Sequence, residues 1–110
     1  MKRQLFGIPN CDTVKKVRTY LEKKKLDYDF VDFKKQPPSE TDIRRWQKFM
    51  KTFPVNTKGP TYRKIREKFE VASDAQKMKL LIENSSAIKR PILEENGTVK
   101  AVGFDPAYYG

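Results

Sequence analysis

The chain has 110 residues, 37% of them hydrophobic and 35% charged, and a net charge of +10. A chain of this length forms one domain with a modest hydrophobic core. No apolar stretch approaches the roughly 20 residues of a membrane-spanning helix, and the short run after Met1 does not resemble a secretory signal. These properties predict a monomeric, cytoplasmic protein and argue against a transmembrane protein or a secreted disulfide scaffold.

The cysteine and histidine counts limit the chemistry. The chain has a single cysteine, Cys11, and no histidine. A lone cysteine agrees with a reducing compartment and cannot form a disulfide within the chain. Without histidine there is no Cys–His catalytic pair, and one cysteine does not make a structural zinc site. We therefore expect no bound metal or cofactor, and activation of Cys11 by a helix, by hydroxyl groups, or by arginine and lysine side chains.

The net charge of +10 has three interpretations: a nucleic-acid-binding surface, a lysine-rich solvated surface, or a basic active site for an anionic substrate. The positive residues are dispersed, as in Lys15, Lys16 and Lys23 to Lys25, and aromatic residues do not interleave with them in any known RNA-binding pattern. We therefore favour a solvated surface and expect neither nucleic acid nor a membrane as a partner. A basic active site would also suit Cys11.

The first part of the chain predicts a strand, a helix and a second strand. The first strand covers Lys2–Ile8, and Asn10 or Cys11 caps a helix that runs to about Lys25. The apolar residues of this helix fall on one face, namely Val14, Val17 and Leu21. Tyr28–Phe33 then alternates in the manner of a second strand.

Two capping boxes mark helices in the middle of the chain. Ser39–Asp42 precedes a helix whose apolar face carries Ile43, Trp46 and Met50, and we expect Trp46 to lie in the core. A loop rich in proline and glycine leads to a short helix from Thr61 to about Phe69. Ser73–Gln76 then starts a helix with the apolar residues Met78, Leu81 and Ile82.

The end of the chain predicts a β-hairpin, in which Pro91–Glu94 and Thr98–Val102 flank an Asn-Gly turn. A β-α-β unit joined through helices to a hairpin is typical of a thioredoxin-like α/β fold with a mixed sheet. The first two strands should be parallel, because a helix crosses between them. The helical stretch of about 39–84 is longer than the minimal fold needs, so we expect a helical insertion within one domain over residues 1–110.

Cys11 is the leading candidate for a catalytic group. It lies where the first strand turns into the first helix, and the N–H groups and dipole of a helix N-terminus favour the thiolate over the thiol. In a dithiol oxidoreductase a second cysteine would stand at the position of Val14. Because this chain has valine there, Cys11 would act alone. Thr13 could donate a hydrogen bond toward the sulfur, and Asn10 is either the helix cap or part of the site. The alternative for Cys11 is a small buried residue with a packing role.

Arginine side chains follow at two later positions. Arg90 precedes Pro91 at the start of the hairpin, and a proline there is a candidate for a cis peptide bond. Arg63 lies at a loop-to-helix junction and suits bidentate contact with an oxyanion or carboxylate. Lys64 is a weaker candidate for the same role. The alternative for each of these charges is a solvated surface position, and for Pro91 an ordinary strand start.

Four segments together resemble the arsenate reductase family, which also includes the Spx transcription regulators and glutaredoxin-like proteins of unassigned substrate. They occur in the family's order and span nearly the whole chain: Phe6–Thr13 (FGIPNCDT), Asn56–Lys64 (NTKGPTYRK), Ile88–Leu93 (IKRPIL) and Val102–Phe104 (VGF). The resemblance implies a thioredoxin-like fold with a helical insertion. It also implies a cysteine nucleophile, Cys11, assisted by Arg63 and Arg90, next to a cis-proline, Pro91.

The resemblance implies a thiol chemistry as well. In the arsenate reductases the cysteine attacks arsenate, glutathione attacks the adduct, and glutaredoxin completes the cycle. A third arginine after the last hairpin strand helps to hold the oxyanion there, whereas the last arginine of this chain is Arg90. We therefore expect little or no arsenate reduction, and a monothiol oxidoreductase that uses glutathione or another low-molecular-weight thiol as co-substrate. Glutaredoxin is a further candidate partner.

A second hypothesis is an interaction protein. The Spx regulators usually carry a Cys-x-x-Cys redox switch, which Val14 excludes here. A relative that binds RNA polymerase through its basic surface, without redox catalysis at Cys11, is the alternative function.

Overall fold

The computed structural model describes residues 2–109. Along the chain its elements are β1 (Arg3–Gly7), α1 (Asp12–Lys23), β2 (Asp29–Asp32), α2 (Glu40–Met50), α3 (Pro60–Val71), α4 (Asp74–Glu83), a 3-10 turn (Ser85–Ala87), β3 (Ile92–Glu95), β4 (Thr98–Val102) and α5 (Pro106–Tyr109). None of the helices in this part of the chain is long and apolar enough to cross a membrane. The chain divides into two compact units, one made of Met1–Gln36 with Arg90–Gly110 and the other of Pro37–Lys89.

A mixed four-stranded sheet forms the centre of the first unit, with the strand order β2-β1-β3-β4. β1 and β2 are parallel, as the crossing helix predicts. β3 is antiparallel to β1, with Phe6 opposite Ile92, and β3 and β4 form the predicted hairpin. Asn96 and Gly97 have φ angles of 52° and 78°, which the Asn-Gly pair of a type I′ turn requires.

The core of the first unit lies between α1 and the sheet. Val17 and Leu21 of α1 pack on the strand residues Leu5, Leu93 and Ala101, with Tyr109 closing the cluster. Residues four apart on a helix share a face, so the spacing of Val17 and Leu21 directs both side chains onto the sheet. Burying each such aliphatic side chain stabilises the fold by about 1.5–3 kcal/mol.

α1 ends earlier than the sequence predicts. The helix closes at Lys23, and Lys25 takes a left-handed conformation with a φ angle of 56°. The N–H of Leu26 donates to the carbonyl of Leu21 at 3.0 Å, a contact that closes a helix at its C-terminus. The helix therefore ends two residues before the expected end at about Lys25, because the left-handed residue of the closing turn is a lysine, which carries no local signal comparable to glycine.

The second unit contains three helices, and the expected helical stretch of about 39–84 lies inside it. Both predicted capping residues are present: Ser39 Oγ accepts from the N–H of Asp42 at 3.1 Å, and Ser73 Oγ accepts from the N–H of Gln76 at 3.3 Å. Trp46 is fully buried, as expected. α3 extends beyond the expected Thr61–Phe69 at both ends.

Candidate active site

Cys11 occupies the N-cap of α1, so Asn10 is not the cap residue. Its φ and ψ angles are −92° and 125°, and its carbonyl accepts from the N–H of Lys15 at 3.0 Å. The N–H of Cys11 donates to the carbonyl of Ile8 at 3.2 Å, which closes the turn between β1 and α1. The thiol is free and partly exposed. It therefore lies at the helix end where unpaired N–H groups stabilise an anion.

The side chain of Cys11 makes no capping hydrogen bond. The preferred N-cap residues (serine, threonine, aspartate and asparagine) stabilise a helix by accepting from an N–H of its first turn. A cysteine at this position does not supply that contact in the structure. The arrangement is therefore unusual for a residue selected only for helix stability, and it leaves the sulfur available to other groups.

The residues around Cys11 differ in exposure. Asn10, before the cap, and Asp12, the first residue of α1, are exposed, whereas Thr13 is partly buried in the first turn. Val14 is completely buried at the position where a dithiol enzyme would have its second cysteine. The first turn thus presents a single sulfur, flanked by polar side chains.

The Arg90–Pro91 peptide bond is cis, as predicted. Pro91 is buried, and its carbonyl accepts from the N–H of Gly103 at 2.8 Å. Phe6 pairs with Ile92 in the antiparallel ladder, so the same register places Pro91 beside the end of β1. A methyl group added to Gly7 would lie 3.8 Å from Cβ of Pro91, so the proline borders the strand end that leads into the Cys11 turn.

Arg90 is partly buried, and its Nε atom is shielded from solvent. The residue is the first of the Arg90–Gly110 segment of the first unit, one position before the proline that borders Gly7. A partly buried guanidinium has lost part of its hydration, which makes its interaction with an anion stronger than that of an exposed lysine.

Arg63 and Lys64 lie in the second unit, near the start of α3, and both are exposed. The N–H of Arg63 donates to the carbonyl of Gly59, the N-cap, at 3.3 Å. A methyl group at Gly59 would lie 2.9 Å from Nδ2 of Asn56, so the loop before α3 closes tightly around the Asn56 side chain. This packing gives the segment that carries Arg63 a defined conformation. The assignment of both residues to a site stays a prediction.

Gly7 is a site residue that the sequence analysis missed. A methyl group there would lie 2.9 Å from Cγ2 of Val14, closer than carbon atoms approach without displacement. The signal was present, since a glycine inside a strand marks a close approach of another part of the chain. The sequence alone could not show which part approaches.

Residues 2–109 contain no group of three or more acidic, cysteine or histidine side chains that could hold a metal ion. A cavity of about 600 Å³ lies beside the C-terminal half of α1, with Arg18, Tyr28 and Phe30 among its lining residues. The guanidinium of Arg18 lies 4.3 Å from the centre of the Phe30 ring. Cys11 does not line this cavity.

Comparison with known proteins places these features in a family. The model of the ArsC family matches residues 6–110. YusI, an uncharacterized protein of Bacillus subtilis, is 30% identical over 110 residues, covering 94% of this chain and 92% of that protein. The solved structure of the YFFB (PA3664) protein is 38% identical, with a TM-score of 0.84 and coverage of 98% of this chain and 96% of that chain.

A second solved structure, described as a possible arsenate reductase from Streptococcus mutans, is 30% identical with a TM-score of 0.80. The match covers 96% of this chain and 93% of that chain. Likeness at these levels over nearly the full length confirms the thioredoxin-like fold that the element order predicted.

Proposed function

The chain belongs to the ArsC family, and from that premise we propose that it is a monothiol oxidoreductase in which Cys11 is the nucleophile and glutathione or a similar thiol is the co-substrate. The observation that carries the proposal is the placement of a free, partly exposed thiol at the N-cap of α1. A chemical role accounts for a cysteine at the N-cap whose side chain makes no hydrogen bond to the helix. A role in packing alone would instead place the sulfur in the core.

The proposed reaction is thiol–disulfide exchange. The Cys11 thiolate attacks the glutathionyl sulfur of a mixed disulfide, a Cys11–glutathione disulfide forms, and the other half leaves as a thiolate that takes up a proton. The thiolate of a second glutathione then attacks the glutathionyl sulfur on Cys11, which releases oxidised glutathione and restores the Cys11 thiolate. Over the whole cycle one glutathione thiol is consumed: the substrate sulfur leaves as a thiol, and the glutathionyl group that the substrate carried leaves in oxidised glutathione.

The neighbouring residues have separate proposed roles. Arg90 neutralises the carboxylates of glutathione, and Pro91 presents its backbone to the bound thiol. Thr13 and Asn10 offer hydrogen bonds to the sulfur or to the peptide groups of glutathione. The resemblance implies that Arg63 assists with the same anionic partner, and Lys64 is a weaker candidate for that role.

The direct test is incubation with oxidised glutathione followed by intact-mass measurement. We expect the mass to rise by one glutathionyl group, to return to the starting value on addition of reduced glutathione, and to stay unchanged in Cys11→Ser. The reference reaction uses the same protein unfolded in urea, in which Cys11 is exposed and α1 is no longer formed. If the folded protein gives no adduct under conditions where the unfolded protein does, the proposal is wrong and the interaction-protein hypothesis is favoured.

A further inference from the structure

One side of α1 carries lysine and tyrosine in alternation. Lys16 and Tyr20 of α1 and Lys24, its C-cap, are spaced by four residues, so they lie on one side of the helix, roughly 6 Å apart along its axis. The Lys24 ammonium lies 5.7 Å from the centre of the Tyr20 ring. The Lys16 ammonium lies 5.0 Å from the ring of Phe104, which the last part of the chain brings to this surface.

The residues after β4 add more aromatic rings beside this row. Phe104 stacks on Tyr109 with ring centres 5.3 Å apart, and Tyr20 and Tyr108 each meet Tyr109 edge to face at 5.1 Å. Tyr109 is buried, whereas Phe104 and Tyr108 are 36% and 38% exposed. We call the four rings, with Lys16 and Lys24, the aromatic platform. Its buried centre holds the exposed rings in place.

Two carboxylates near the platform accept hydrogen bonds from other groups. Glu95 pairs with Arg3 through a 2.8 Å contact, and Oδ1 of Asp105 accepts from the N–H of Ala107 at 3.0 Å. The guanidinium of Arg3 offsets the charge of Glu95, so this acid offers less to the platform lysines. The platform thus combines exposed rings with cations on a protein whose net charge is +10.

We propose that the aromatic platform binds single-stranded nucleic acid. Bases stack on the rings of Phe104 and Tyr108, and Lys16 and Lys24 contact phosphates. In the free protein each of these ammonium groups lies near a ring. A base that stacks on Phe104 displaces the Lys16 ammonium, which then reaches the phosphate on a flexible side chain. The Lys24 ammonium lies near the ring of Tyr20, on which no base stacks.

This inference reverses the expectation from the sequence and does not depend on the proposed function of Cys11. The sequence does not show the full platform, because Lys16 and Phe104 lie at opposite ends of the chain. The fold brings them within 5.0 Å of each other. An acidic protein partner would use the same lysines but would not use the partly exposed rings of Phe104 and Tyr108.

The test is fluorescence anisotropy with fluorescein-labelled oligothymidylate and oligouridylate. We expect binding that weakens between about 50 and 200 mM salt, since phosphate contacts release counterions. Phe104→Ala should weaken binding by roughly fivefold to 150-fold, the range for loss of one base stack. Phe104→Trp should retain binding, because it keeps an aromatic face. Lys16→Glu should weaken binding and reduce its dependence on salt.

Matched controls separate the platform from the general positive charge. Lys79→Glu changes the net charge as much as Lys16→Glu at an exposed position of α4, and Phe49→Ala removes a ring that is 47% exposed in α2. Both controls should change the affinity by less than about threefold. The proposal is overturned if the control variants lose as much affinity as the platform variants. It is also overturned if no binding occurs at low salt, or if polyglutamate binds as tightly as the oligonucleotides. Thermal unfolding of each variant checks that it is folded.

Discussion

Gly7 and Val14 lie in close contact at the turn that carries Cys11, since a methyl group on Gly7 would come within 2.9 Å of Cγ2 of Val14. Val14 is completely buried, so its side chain cannot move toward solvent. The contact holds the end of β1 against the first turn of α1, and it requires glycine at position 7. The position of the Cys11 sulfur therefore depends on a residue without a side chain.

We expect Gly7→Ala to lower the free energy of unfolding by about 1–3 kcal/mol, because the added methyl overpacks a buried site. The same variant should slow formation of the Cys11–glutathione disulfide, because the turn must shift to accommodate the methyl. Urea unfolding measures the first effect and intact-mass kinetics measure the second.

Two companion variants identify the cause. Gly97→Ala places a side chain at a φ angle of 78° with open space around it, so it should cost roughly 1–2 kcal/mol through backbone strain and leave Cys11 reactivity unchanged. Val14→Ala should reduce the penalty of Gly7→Ala in the double variant. Additive losses in that double variant would show that the contact with Val14 does not explain the role of Gly7.

Features with a local sequence signal could be predicted. The caps at Ser39 and Ser73 and the turn at Asn96 depend on short-range hydrogen bonds or backbone conformations, and all three are present as expected. The parallel pairing of β1 and β2 follows from the crossing helix. The caps and the turn are fixed by residues within a few positions of one another, so the sequence shows them directly.

Features that depend on long-range packing could not be predicted. The contact of Lys16 with Phe104 joins residues from distant parts of the chain. The short helix α5 covers four residues, too few for a periodic pattern. The strand β3 begins at Ile92 instead of Pro91, since proline cannot donate to the ladder. At the candidate site, the local sequence around Cys11 and Pro91 indicated their roles. The glycine at position 7 indicated a close approach of another part of the chain, but the sequence did not show that this part is Val14.

Arg90→Ala should slow the reaction of Cys11 with oxidised glutathione more than its reaction with a neutral disulfide such as hydroxyethyl disulfide. The proposed role of Arg90 is charge neutralisation, which matters only for the anionic substrate. Arg90→Lys should recover part of the rate, because a point charge lacks the planar fork of the guanidinium. Stopped-flow rates on both disulfides measure the difference.

Lys89→Ala, at the exposed neighbouring position, is the matched control and should leave both rates nearly unchanged. An equal loss on the charged and neutral disulfides in Arg90→Ala would mean that Arg90 positions the chain and does not neutralise the substrate.

Tyr109→Phe should leave the free energy of unfolding at pH 7 unchanged or raise it by up to about 1 kcal/mol. The Tyr109 hydroxyl is buried and has no hydrogen-bond partner among residues 2–109, so its removal ends a desolvation cost. Tyr28→Phe is the contrasting variant, because the Tyr28 hydroxyl accepts from Nε of Arg18 at 3.0 Å, and its loss should destabilise by about 1 kcal/mol.

Burial raises the pKa of Tyr109 well above its usual value, and the neighbouring Tyr108 and Asp105 add to the rise. The folded protein therefore keeps this proton at a pH where the unfolded chain has lost it. The resulting stability is fully present below pH of about 10 and is lost as the pH rises above that value. Urea unfolding from pH 8 to about 11 should show a steeper fall for the native protein than for Tyr109→Phe, and parallel curves would contradict this assignment.

Arsenate reduction with glutathione and glutaredoxin should be weak or absent. Arsenate reductases of the kind this chain resembles share the oxyanion charge among three arginines, and beyond Arg90 this chain has none. One charge-assisted contact contributes about 1.5–3 kcal/mol, so its loss should weaken arsenate handling roughly tenfold to a hundredfold. Lys100 lies within β4 and not after it, so it does not occupy the place of the missing arginine.

An arsenate-dependent glutathione oxidation assay on the purified protein, with Cys11→Ser as the control, measures the rate of arsenate reduction. Turnover at the level of an authentic arsenate reductase, abolished in Cys11→Ser, would show that the third arginine is dispensable.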